Sequence, residues 1–408
     1  MVNIKRVEKN LKDFEKFSAT PGNGCSRLAF SKEIKDAGYK LVELMEDANL
    51  TVTKDLCGNI FGIRKGKDSS KAAIVCGSHY DSVYNGGNFD GIAGVMSAIE
   101  IAKTLDENNI TLERDYIVIA FMDEEGTRFG NGYFGSRAIM GEVSQDEINN
   151  FKDKSGMTLR EAMENYGLDP DNIKDARWDD KKIGYFLELH IEQGPVLDQK
   201  KIELGIVNGI FGMQRYMIKV KGRADHAGTT PMNMRKDPMD IATKVIAKVA
   251  DFAKETGEDT VATTGFISAK PGGMNIVASE VEFSLDIRSI DNDVVSEVYS
   301  KVTKLLDELT SKVGATYESR QTMDVKAAMM DEKLMDMMEN IAEKKNYSYY
   351  VLPSGAGHDT MIIAKYHPTA MIFVPSINGR SHSPEEFTPY NYFEKAIDVL
   401  YELVISLD

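Results

Sequence analysis

Chemistry is most concentrated at Ile119-Ala-Phe-Met-Asp-Glu-Glu-Gly126, where an apolar strand-forming run leads straight into Asp123, Glu124 and Glu125. Burial at the end of such a run penalises the ionised form of each acid, so a cation is needed to offset the cost. Elsewhere in the 408 residues stand side chains of the types that hold divalent ions: His79, Asp90, His190 and His382. His79 follows an apolar segment in Gly77-Ser-His-Tyr-Asp-Ser82. His190 ends another in Tyr185-Phe-Leu-Glu-Leu-His-Ile-Glu-Gln-Gly-Pro195, and His382 lies just past a third in Asn378-Gly-Arg-Ser-His-Ser-Pro384. Open α/β sheets collect ligands just beyond the carboxyl ends of such strands. The chain has only six histidines, so three at strand ends beside acidic motifs argue for one shared metal centre. The chemistry of such a centre is hydrolysis, in which a water polarised between two divalent ions gives its proton to a neighbouring carboxylate. Adjacent residues leaving a strand point to different sides, so one can bind metal while its neighbour takes a different role; Glu125 is read as the ligand and Glu124 as the base.

Other residues admit two readings. Asp81 would fix the His79 tautomer by accepting its second N–H, or would cap a turn of its own backbone. Asp90 sits between the loop Asn85-Gly-Gly-Asn-Phe and a helical pattern beginning at Gly91; it reads as an N-cap or as a carboxylate bridging two ions, and both can hold together. His226, in Arg223-Ala-Asp-His-Ala-Gly-Thr-Thr-Pro231, would stabilise a developing oxyanion if domain closure or a partner subunit brought it to the metals. His358, in Ser354-Gly-Ala-Gly-His-Asp-Thr360, reads as structural, with glycines that permit backbone approach to a ligand; His367 reads as a loop residue. Arg288 and Asn275 offer a guanidinium and an amide to a substrate carboxylate, or else make a surface ion pair and a turn.

These side chains need a frame. Buried strands are expected at Ala72–Gly77 and Tyr116–Met122 around a helix at Gly91–Asp106, which is α/β patterning. From Gln214 the pattern becomes strand (to Val220), helix (Pro238–Lys254), strand (Val261–Ile267), strand (Val281–Ser289) and helix (Asp293–Leu309), the order of a small two-layer α+β domain. An amphipathic helix at Glu332–Lys344 and a strand at Ala370–Val374 then restore the first pattern. The middle region is therefore expected to be an insertion, with linkers near Gly205–Gly212 and Tyr317–Val325.

Composition narrows the partners. The net charge of −15 disfavours nucleic acid and anionic membrane surfaces, which reward clustered Lys and Arg, and leaves a small soluble substrate. Three cysteines with no C-x-x-C pair, no signal-peptide-like segment and no membrane-length apolar run point to a cytoplasmic protein without disulfides.

Six segments together resemble the amidase, hydantoinase and carbamoylase branch of the aminoacylase-type dinuclear zinc hydrolases: Gly77-Ser-His-Tyr-Asp-Ser, Gly87-Asn-Phe-Asp-Gly, Asp123-Glu-Glu-Gly-Thr-Arg-Phe, Leu189-His-Ile-Glu-Gln-Gly-Pro, His226-Ala-Gly-Thr-Thr-Pro-Met and Ser354-Gly-Ala-Gly-His-Asp. They run in the expected order across most of the chain, and His190 stands where related peptidases often use Asp. The resemblance implies a catalytic α/β domain with a mixed sheet flanked by helices, in two parts (1–208 and 323–408). It also implies a smaller, ferredoxin-like α+β lid (209–322) through which a homodimer forms. Two divalent ions per subunit, zinc or else manganese, cobalt or nickel, would be held by His79, Asp90, Glu125, His190 and His382, with Asp90 bridging and Glu124 as base. Gln193, Gln214, His226, Asn275, Arg288 and Gly357 would contact substrate, although several relatives carry Arg at the position of Gln214. The implied reaction is hydrolysis of a linear ureido acid, an N-carbamoyl-L-amino acid before allantoate, with 3-ureidopropionate or a dipeptide further behind.

Overall fold

Continuous apolar runs form the middle of one large sheet, because strands buried on both faces have no polar side to show. The computed structural model describes residues 2–179 and 181–408. Its residues divide into two units, Met1–Asn208 with Met330–Asp408, and Gly209–Met329. Along the first unit run β1 (Thr51–Lys54), β2 (Ile60–Arg64), β3 (Ala73–His79), β4 (Tyr116–Phe121), β5 (Ile183–Ile191) and β6 (Leu204–Ile210). The second unit holds β7 (Gly212–Lys221), β8 (Asp225–His226), β9 (Thr260–Thr263), β10 (Ile267–Lys270), β11 (Ile276–Val277), β12 (Glu280–Ser289), β13 (Thr316–Val325) and β14 (Ala328–Met329). The chain finishes in the first unit with β15 (Tyr349–Ser354) and β16 (Thr369–Val374).

In the first unit the strands lie in the order β1-β2-β4-β3-β5-β16-β6. β4, β3, β5 and β16 are mutually parallel, and β2 and β6 flank them antiparallel, so the sheet is mixed as expected. All residues of β3, β4 and β16 are buried. The helix Ile92–Glu107 packs against β3, β4 and β5 and buries thirteen of its sixteen residues. Gly94 permits that approach: a Cβ there would stand 2.3 Å from the Leu189 carbonyl oxygen and 2.7 Å from Ser78 Cβ. No described helix is long and apolar enough to cross a membrane.

The second unit is built from strict alternation. β7 and β12 each bury every second residue, and that face meets the helices Pro238–Lys254 and Asn292–Val313 in a core of Ile218, Val220, Phe283, Leu285, Val245 and Val298, among others. The four-stranded antiparallel path is β10-β12-β7-β13, with β9 also paired to β12. Two expectations are corrected here. The single strand expected at Val261–Ile267 is two strands, because the chain breaks at Gly265, where the amides of Gly265 and Phe266 turn to the Ser284 hydroxyl. The expected linkers are themselves strands: Gly205–Gly212 is mostly β6, and Tyr317–Val325 lies within β13, hydrogen-bonded along β7 with one bulge. Polar residues paired on one open face lack the apolar run that would have marked them as strand.

Candidate metal centre

Four parallel strands deliver their carboxyl ends to one edge of the sheet, and the expected ligands stand there. His79 is the last residue of β3, His190 lies at the end of β5, the acidic tripeptide follows β4, and His382 lies on the loop beyond β16. Asp90 occupies the loop between β3 and the helix Ile92–Glu107. It is not the side-chain cap of that helix: Gly91 is the N-cap, at φ +66°, and no side chain caps it. The turn that would have used the carboxylate is closed by backbone, which leaves both Asp90 oxygens for other work.

Those two oxygens face different partners. Oδ1 lies 3.4 Å from His79 Nε2 and 3.1 Å from His190 Nε2, and Oδ2 lies 3.2 Å from His382 Nε2. His382 Nε2 is in turn 3.4 Å from Glu125 Oε1. The second ring nitrogen is held elsewhere on both buried histidines. His190 Nδ1 is 2.9 Å from the Ile191 carbonyl oxygen, and His79 Nδ1 is 3.3 Å from the Asp81 carbonyl and 3.4 Å from its carboxylate. Both Nε2 atoms are therefore turned toward Asp90, the usual outer support of metal-bound imidazole. Asp90 Oδ1 is buried without a hydrogen-bond partner. An orphaned carboxylate oxygen between two imidazole nitrogens fits a divalent cation, as does the neutral-nitrogen and carboxylate donor set.

The donor atoms of His79, Asp90 and His190 lie within 4.8 Å of one another, and so do those of Asp90, Glu125 and His382. A third such group, Glu188, His190 and His358, is also close, but its carboxylate is already engaged: Glu188 accepts from the Ser78 hydroxyl at 2.6 Å and from the Thr360 amide and hydroxyl. His358 Nε2 is 2.9 Å from Ser354 Oγ, and its ring meets the His190 ring edge-on at 4.4 Å. This group is a support behind His190, in keeping with the structural reading of His358.

Asp81 acts through its neighbours. Its two carboxylate oxygens accept the backbone N–H groups of Glu124 and Glu125 at 3.0 and 3.2 Å, so one side chain fixes both the tripeptide and the His79 ring. Asp123 takes the left-handed conformation, φ +60°. Glu124 Oε2 lies 3.9 Å from His79 Nε2.

The electrostatics follow from this packing. Burial opposes ionisation of Asp90, but His190, His382 and His79 outweigh it and hold its carboxyl well below the ordinary range. His79 rises well above the histidine value, and His190 rises too: burial opposes the charge, while Asp81 and Asp90 favour it on His79 and Asp90 does so on His190. Asp90 and Glu125 lift His382 to about 10. Burial pushes Glu124 well above the carboxylate value against the pull of His79, with Glu125, Asp359 and Asp81 adding to the rise. Concentrated buried acid with a proton-hungry centre is what bound cations would relieve.

Of the expected substrate contacts, Gln193 lies in the first unit at φ +58°, with Nε2 2.8 Å from Asp90 Oδ2 and 3.3 Å from His382 Nε2. Gly357 precedes His358, and a Cβ there would stand 1.8 Å from the Tyr133 hydroxyl oxygen. Within the second unit, β8 and β11 set Ile276 opposite His226, and the Ala227 amide donates to the Asn275 carbonyl at 3.0 Å. His226 is exposed, and its Nδ1 accepts the Gly228 and Thr229 amides at 3.1 and 3.2 Å. Nδ1 is thus an acceptor, which leaves Nε2 to carry the donor proton. Arg288 Nε donates to Asp286 at 2.9 Å on the open sheet face. Gln214 lies on the opposite face of the same sheet from Arg288. It pairs with Ile287 on the helix-covered face, whereas Arg288 pairs with Met213 on the other, because successive strand residues point oppositely. The Gln214 amide instead meets the Tyr216 hydroxyl at 2.8 Å and Asp324 at 3.4 Å.

Sequence reasoning missed Ser381 and Glu386. Ser381 Oγ lies 3.2 Å from Asp90 Oδ2 and 2.8 Å from Glu386 Oε2. An acid four residues past a histidine carries no periodic signal to mark it as buried.

Known proteins share this arrangement of chain. Residues 75–406 match the family model described as Peptidase family M20/M25/M40. The chain is 38% identical over 404 residues to an N-carbamoyl-L-amino-acid amidohydrolase of Paenarthrobacter aurescens, covering 99% of this chain and 98% of that protein. It is 34% identical over 391 residues to an allantoate amidohydrolase of Bacillus subtilis (strain 168), covering 96% and 94%. A crystal structure of an amidase of the hydantoinase/carbamoylase family from Burkholderia multivorans superposes with a TM-score of 0.92 at 30% identity, covering 99% of this chain and 98% of that one. This chain therefore belongs to peptidase family M20/M25/M40, as a hydrolase of its hydantoinase/carbamoylase amidase branch.

Proposed function

We propose that the protein hydrolyses the carbamoyl C–N bond of an N-carbamoyl-L-amino acid, releasing the amino acid, ammonia and carbon dioxide. The observation that carries the chemistry is a buried Glu124 that approaches the same His79 nitrogen as Asp90, a carboxylate whose two oxygens face two separate ligand sets. The substrate class rests on likeness to the Paenarthrobacter amidohydrolase along nearly the whole chain. In this reading His79, Asp90 and His190 would hold one divalent ion, and Asp90, Glu125 and His382 a second; zinc, manganese, cobalt or nickel suits such donors. When bound, such ions supply Lewis acidity toward a carbonyl and ease deprotonation of water.

The side chains do the rest. Glu124 takes the proton of the attacking water and returns it to the leaving nitrogen, a role suited to a carboxyl that burial raises above the ordinary carboxylate value. Asp81 holds Glu124 and Glu125 in place through their backbone amides. His226, with its proton on Nε2, donates to the developing oxyanion. Arg288 with Asn275 takes the substrate carboxylate, and Gln193 and Gly357 line the ureido end. Gln214, beside Asp324 in the second unit, is a further candidate for substrate contact. We further read the protein as a cytoplasmic homodimer that pairs through its second unit.

A second reading is favoured by the 34% identity to the Bacillus allantoate amidohydrolase, since allantoate offers the same ureido group and a carboxylate. Ammonia release decides between them, assayed with metal-reconstituted protein on several N-carbamoyl-L-amino acids, allantoate, 3-ureidopropionate and a dipeptide. The proposal expects an N-carbamoyl-L-amino acid to give the highest kcat/KM; allantoate ranking first would transfer the assignment, and a preferred dipeptide would reject both.

A further inference from the structure

The two halves of the Asp90 centre are not equally anchored. His79 and His190 are buried at strand ends, with the second ring nitrogen fixed. His382 sits on a loop at φ +54° with 48% of its side chain exposed, and among the described residues its ring makes polar contacts through Nε2 only. Something else must hold the Asp90 loop and the His382 loop in register.

Glu386 is buried between them. Its Oε1 accepts the backbone amides of Phe89 and Asp90 at 3.0 and 3.1 Å, and its Oε2 accepts the Ser381 hydroxyl at 2.8 Å. One carboxylate thus grips the residue pair that delivers the bridging side chain and the residue immediately before His382. Gly87 belongs to the same fit, since a Cβ there would stand 2.0 Å from Glu386 Oε1. Ser381 has a single hydroxyl proton. Given to Glu386 at the shorter distance, it leaves a lone pair facing Asp90 Oδ2 at 3.2 Å, an oxygen that also accepts the Gln193 amide at 2.8 Å and faces His382 Nε2.

We propose that Glu386 is a positioning residue that sets Asp90 against His382, and so the affinity of the Asp90–Glu125–His382 ion site while leaving the His79–Asp90–His190 site nearly unaffected. The inference rests on the two-ion reading above. Partners of this kind are worth about 10–100-fold in metal affinity.

Cobalt(II) titration of metal-free protein, followed by visible absorption and a count of bound metal, tests it on wild type, Glu386→Ala, Glu386→Gln and Ser381→Ala, with circular dichroism as the check on folding. The wild type is expected to take two equivalents. Glu386→Ala should keep the affinity of one and weaken the other about 10–100-fold. Glu386→Gln retains an acceptor for both amides and should recover most of that loss; Ser381→Ala should fall between. If Glu386→Ala does not fold, the selective weakening must appear in Ser381→Ala. Unchanged affinities, or equal weakening of both equivalents, overturn the role of Glu386 alone. A wild type that binds no cobalt overturns the two-ion reading with it.

Discussion

The first unit buries charge and the second does not. At the carboxyl edge of the large sheet Asp81, Asp90, Asp123, Glu124, Glu188, Asp359 and Glu386 are all buried, alongside His79, His190 and His358. In the second unit the buried polar residues are Gln214, Thr260, Ser289 and Thr310, none of them charged. Its chemistry-bearing groups, His226 and Arg288, stay exposed or half-exposed on a two-residue ribbon and an open sheet face. Apolar burial explains the second unit without remainder. In the first, apolar burial must also carry several desolvated acids, a cost sensible only where a cation offsets it. The contrast separates a cluster of buried acids and imidazoles at one sheet edge from the exposed or half-exposed polar groups of the second unit.

Four perturbations break or sharpen that contrast, in descending order of effect. Glu124→Gln removes the proton acceptor while preserving shape, so kcat should fall about 10²–10⁴-fold with bound metal unchanged by elemental analysis; unchanged turnover would remove Glu124 from the mechanism. His226→Ala acts in the other unit, where the side chain is exposed and, among the described residues, bonded only to the amides of its own loop, Gly228 and Thr229. An oxyanion donor of this type is worth about 10²–10³-fold in kcat, with melting temperature and metal content near wild type; a fully active variant contradicts the role.

Gly91→Ala tests rigidity directly. The position has φ +66°, and a Cβ would stand 2.3–2.4 Å from three His79 ring atoms. Overpacking of that kind costs about 1–3 kcal/mol, and the displaced ring should also weaken metal binding. A variant with wild-type stability and metal content would show the His79 pocket to be pliant.

The smallest effect is one of sign. In metal-free protein His79 and His190 titrate above the ordinary histidine value, since their carboxylate neighbours outweigh burial, and burial raises Glu124 and Asp123. The folded state then holds more protons than the unfolded chain. The histidine contribution is full below the unfolded value of about 6.5 and is lost as pH rises through the raised values, so stability declines as pH rises above about 6.5. Depressed Asp90 contributes above its unfolded value of about 3.9 and is constant across that window. In the second unit burial opposes but Arg288 and Arg215 depress Asp286, so its stability contribution is lost only on acidification. Segment-resolved hydrogen exchange of the metal-free chain should show protection near β3 and β5 falling with pH while β12 holds steady. Saturating metal should reverse the first trend, because protons and cations compete for the same imidazoles.

Much of the centre was legible before any coordinates. β3, β4 and β16 announce themselves as unbroken apolar runs, and a ligand-type residue just past each is a strong local signal. The support was not legible. Asp81 holding the tripeptide amides, Glu188 held by Ser78 and Thr360, and Glu386 spanning 296 residues to the Asp90 amide depend on tertiary proximity that no spacing encodes. β13 failed because a strand with polar residues on its open face looks like a linker.

The central claim is that Asp90 is shared by two cations. A crystal structure of zinc-reconstituted protein, with anomalous data at the zinc edge, tests it most directly. Two peaks are predicted, one among His79, Asp90 and His190 and one among Asp90, Glu125 and His382. A single peak on one side of Asp90, or density among Glu188, His190 and His358 instead, would contradict it.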